Sequence, residues 1–120
     1  MANEITLTAG LKVSKNGAGL DSGILTKQVT MTGNELIDKT QLIGTSAEAI
    51  TWGDISGAPG CVQIKNLDAT NFVRVSLGDD ANYFAKIRPG HFAQFEPASS
   101  TMYAKADTAS VRVQIRAVEV

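Results

Sequence analysis

Cys61 and His91 are the only cysteine and the only histidine in this 120-residue chain, and together they carry its most reactive side-chain types. A working thiol–imidazole pair needs the ring beside the sulfur and a third group orienting the ring. Cys61 opens an alternating apolar run, whereas His91 follows Arg88-Pro89-Gly90, a turn sequence with Pro and Gly at its two central positions. The two are therefore expected apart, and no catalytic residue is assigned. A lone cysteine ordinarily serves as a small apolar core residue. It also excludes an internal disulfide and offers no metal-ligand spacing, which fits folding in a reducing cytosol.

Oxygen ligands are the next candidates. Asp68, Asn71, Asp79 and Asp80 cluster around two turns, but a hard cation wants six or more oxygens in a shaped loop. Gly-Asp-Asp-Ala-Asn lacks the D-x-D-x-D-G spacing, so hairpin turns are expected and no metal site. The glycines of NGAG and SGAPG do not match a phosphate-binding loop, and no cofactor is expected. Trp52, Phe72, Tyr83, Phe84, Phe92, Phe95 and Tyr103 read as core and strand packing. A carbohydrate platform would need several of them exposed together. Arg74, Lys86, Arg88, Arg112 and Arg116 fall at outward-facing positions. They form either a solvated face that keeps sheet edges soluble or contacts to acidic partner subunits.

Eleven basic against twelve acidic residues leave a net charge of -1, so there is no basic field for nucleic acid. No apolar run approaches the ~20 residues of a membrane span. MANEITLTAG has no basic segment leading into an apolar one, so no signal peptide is expected.

Period-two alternation runs through the chain. Ile5, Leu7, Ala9, Leu11 and Val13 share one face of a first strand. KNGAGLDSG reads as an exposed loop and ILTKQVTM as a second strand, while NELIDKTQLIG fits a short helix or, as its Thr and flanking glycines favour, a strand from about Asp38 to Gly44. A further strand is expected around Ile50 and Trp52. CVQIKNLDATNFVRVSLGDD reads as a hairpin, with Val62, Ile64, Val73, Val75 and Leu77 inward and Gln63, Lys65, Arg74 and Ser76 outward. YFAKI, HFAQF, MYAKA and SVRVQIRAVEV complete the set. About eight short strands without an amphipathic helix predict an all-β chain, an antiparallel β-sandwich of jelly-roll or immunoglobulin-like topology. The length fits one domain over residues 1–120. Residues 1–23 form either a partly extended arm that adds a strand to a neighbour or the sandwich's own first strand.

Several segments, in order, resemble small virion structural proteins of tailed bacteriophages: MANEI, IGTSAEAITWGDI, GCVQIKNLDATNFVRVSL, AKIRPGHFAQF and MYAKADTASVRV. The resemblance spans nearly the whole chain and is architectural, so it transfers no catalytic or ligand residue. It implies a structural component of the virion, made in the host bacterial cytoplasm. Foremost is a capsid decoration (cement) protein acting as a homotrimer on the major capsid protein. The alternatives are a tail, neck or fibre accessory protein, or a glycan-binding module for host attachment.

Overall fold

The computed structural model describes residues 3–120 and contains no helix among them. The chain divides into two compact units, one ending at Thr32 and the other covering Gly33–Val120.

The first unit is a two-stranded ribbon. Strand β1 (Ile5–Ala9) pairs antiparallel with β4 (Leu25–Val29), and β2 (Lys12–Lys15) pairs with β3 (Ala18–Asp21). Asn16 and Gly17 close it, with φ of 50° and 82°. Positive φ at both central residues is what a two-residue hairpin needs, and Asn-Gly supplies it at least cost. KNGAGLDSG is thus a turn plus a strand, which corrects the expected loop. The expected first strand is also interrupted. At Leu11 and Ser22 the ladder is replaced by Ser22 N–H donating to Leu11 O and Leu11 N–H donating to Ser22 Oγ, both at 2.9 Å. Strands β1 and β4 form a two-stranded sheet. The ribbon also runs past the expected limit at Gly23, because β4 is needed to complete it.

The second unit contains β5 (Leu36–Ile43), β6 (Glu48–Ala49), β7 (Cys61–Asn66), β8 (Val73–Leu77), β9 (Tyr83–Ile87), β10 (Phe92–Phe95), β11 (Met102–Ala106) and β12 (Val111–Val118). They form two four-stranded sheets, ordered β10-β7-β12-β5 and β6-β11-β8-β9, with every pairing antiparallel. The pairings are nested. First meets last (β5 with β12), then β6 with β11, β7 with β10, and β8 with β9 at the centre. A long hairpin rolled into two sheets in this way is a jelly roll, which decides between the two topologies that alternation left open.

Val62, Ile64, Val73 and Val75 are buried as expected, and Leu77 is partly buried. Val62, Ile64, Val111, Val113, Ile115 and Ala117 of one sheet pack against Val73, Val75, Ile87, Met102, Ala104 and Ala106 of the other, all buried. Ile50 and Trp52 join them from a loop, since the paired segment there is only Glu48–Ala49. The Trp52 indole N–H donates to Ser100 O at 2.8 Å, which satisfies its polar atom inside the core.

The segment from Cys61 to Asp80 is not a hairpin. Its two strands lie in different sheets, so residues 67–72 form a corner between the layers. Asn66 holds that corner. Its side chain is fully buried, and its Nδ2 donates to Asn71 O (2.9 Å) and Ile87 O (3.0 Å). Its Oδ1 accepts from Asp68 N–H at 2.8 Å. The Asn66 backbone is paired as well, N–H to His91 O and carbonyl from Gly90 N–H. One residue therefore ties the β7 end, the corner and the β9–β10 turn together. That turn, Arg88 to His91, has the expected form, with Gly90 at φ 75° and His91 N–H donating to Arg88 O at 2.9 Å. It too crosses between the sheets. Ser76, expected outward, is fully buried beside a bulge against β9, its hydroxyl donating to Asp79 O.

Both Asp turns use their carboxylates internally. Asp68 accepts from Asn71 and Thr70 N–H, and Asp79 from Asn82 and Ala81 N–H. These bonds, with Asn71 and Asn82 the stronger donors, hold both carboxyls below the usual carboxylate range. A depressed folded-state pKa stabilises the fold above the unfolded-state value, and that stabilisation is lost as pH falls through the folded-state value. The melting temperature should therefore drop as pH falls into and below the ordinary carboxylate range. An Asp68→Ala, Asp79→Ala variant, melting lower at neutral pH, should show a shallower drop in the same titration. An unchanged slope would contradict this role.

Candidate functional site

Cys61 and His91 do not meet. Cys61 opens β7, while the His91 carbonyl accepts from Asn66 at the far end of that strand, roughly 16 Å away at the rise of a β-strand. Cys61 is buried, and burial pushes its thiol up, away from the reactive thiolate. Asp79 and Asp68 are occupied by backbone amides, and the described residues contain no group of three or more acidic, His or Cys side chains placed to hold a metal.

The aromatics separate by position. Trp52 is core, Phe95 meets Phe84 edge to face at 5.6 Å, and Tyr83 Oη donates to Asp80 O. Phe84 and Phe92 are exposed on edge strands of the two sheets. Phe72 carries two cations over its ring, Lys86 Nζ at 4.2 Å and Arg74 Cζ at 5.0 Å from the centroid.

The cations expected to share one outward surface lie on two. Arg112 and Arg116 belong to the β10-β7-β12-β5 sheet. There Arg116 donates to Asp38 and Gln63, Gln114 to Asp38, and Gln63 to Gln94, a polar chain across all four strands. The Gln114 and Arg116 bonds hold the Asp38 carboxyl below its usual range. Arg74 and Lys86 belong to the opposite sheet, where the register adds Lys105 beside Arg74. Lys105 was legible as an outward position of MYAKA, but only the pairing of β11 with β8 makes it a neighbour.

The ribbon supplies the other unusual surface. Leu11, Val13, Leu20, Ile24 and Leu25 are all more than half exposed. Val13 and Leu20 are register partners, so they share one face. Exposed apolar side chains are a feature that interaction surfaces share. Comparison with known proteins adds no relative: no family model, curated protein or solved structure matches the chain.

Proposed function

We propose that this chain is a non-enzymatic structural protein of a tailed-phage virion: a capsid decoration protein that binds the assembled head as a homotrimer and uses its N-terminal ribbon as the contact arm. The observation that carries the reading is the ribbon itself, which exposes Leu11, Leu20 and Ile24. Cementing requires repeated shape-specific contacts and no turnover. A jelly roll with its own closed core suits this, and the same architecture serves many viral coat proteins, a likeness of fold alone. Near-neutral charge limits repulsion between densely packed copies. Linked copies also raise effective concentration on a lattice without new chemistry.

Leu11→Ser, Leu20→Ser and Ile24→Ser together test the arm. Burying one such side chain is worth roughly 1.5–3 kcal/mol, so losing three should weaken self-association or particle binding by well over tenfold. Sedimentation velocity should show a trimer giving way to monomer, and pelleting with purified particles should show lost binding, while the sandwich keeps its melting temperature. A variant that stays trimeric and still pellets with particles would remove the arm from the account. A map of whole particles separates head from tail or neck.

A further inference from the structure

Three cations stand side by side on the outer face of the β6-β11-β8-β9 sheet. Lys105 on β11 is the register partner of Arg74 on β8, and Arg74 is the partner of Lys86 on β9. Neighbouring strands lie about 4.8 Å apart, so the row is about 10 Å long. All three side chains are exposed. Among the described residues none is ion-paired, the one salt bridge being Arg116–Asp38 on the other sheet. Like charges directly opposite one another weaken a sheet, so the alignment of Lys105, Arg74 and Lys86 carries a repulsive cost. Phe72 draws the Arg74 and Lys86 head groups over one ring, which limits the freedom two long side chains would lose on meeting a partner.

We propose that Lys105, Arg74 and Lys86, with Phe72 beside them, form a docking face for an acidic polypeptide segment of a partner protein. The charge is complementary, and Arg74 can take a carboxylate through two parallel N–H bonds. A protein segment fits better than a longer polyanion. The row is short, the chain's net charge is -1, and the β8–β9 turn at the end of the same sheet carries Asp79 and Asp80, which repel an extended array of phosphates. The claim goes beyond the assembly reading and is independent of it, because the protein in solution suffices to test it.

Fluorescence anisotropy with labelled hexaglutamate at low salt is the direct assay. Saturable binding is expected, falling as salt rises and weakened about tenfold or more by Arg74→Gln with Lys86→Gln. Arg112→Gln, on the opposite sheet, should bind as the parent does. Lys105→Gln should lose affinity while its melting temperature holds or rises, because a like-charge neighbour has been removed. Absent binding, equal loss with Arg112→Gln, or tighter binding of a labelled single-stranded oligonucleotide or of phosphatidylserine vesicles would overturn the proposal.

Discussion

Val73→Asp should lower the unfolding free energy by roughly 3–5 kcal/mol, the cost of an uncompensated buried charge. A domain of this size has about 5–15 kcal/mol in total, so the variant should lose a large share of its stability and melt well below the parent. Val73 is fully buried, and its register partners Ala106 and Ile87 are buried too, so an introduced carboxylate would sit among apolar side chains. The introduced carboxyl would have its pKa raised by burial. The deficit relative to Val73→Asn should therefore be largest at neutral pH and shrink as pH falls through that raised value. Urea melts at neutral and acidic pH measure both. A midpoint that barely moves would remove Val73 from the core.

Asn66→Ala is expected to cost roughly 2–5 kcal/mol, since it strands several backbone groups at once at about 1–3 kcal/mol for each one left dry. Asn71 O, Ile87 O and Asp68 N–H all lose the partner that Asn66 provides. Asn66→Asp discriminates the cause. It keeps the acceptor for Asp68 N–H but turns the donor into a second oxygen facing two carbonyls, so it should be at least as damaging as Ala. If Asp is tolerated, the corner is not held by Nδ2.

Both sites show what alternation can and cannot reveal. Val73 was legible because a strand with one buried face repeats every two residues, and Val62, Ile64 and the β12 set were legible for the same reason. Asn66 looked like an ordinary polar residue before a turn. Its importance comes from Asn71 and Ile87, and Ile87 is brought near only by tertiary folding. The reading of Cys61–Asp80 as a hairpin failed similarly. Two alternating runs around a polar turn are equally compatible with pairing and with crossing between layers, and the choice rests on which distant strands each run finds. Asn16-Gly17 was different, because that dipeptide is a strong local hairpin signal. Its strand partner, Ala-Gly-Leu-Asp, is too rich in small and turn-forming residues to announce itself. The cationic row was half visible: Arg74 and Lys86 were placed outward, but their alignment with Lys105 depends on register.

Immunogold labelling of intact virions, from cells that make this protein and with an antibody to its sandwich, tests the central claim most directly. The decoration reading predicts gold distributed over the heads, lost when Leu11, Leu20 and Ile24 are replaced by Ser although the soluble protein stays folded. Virions without label, or label confined to tails, would contradict it.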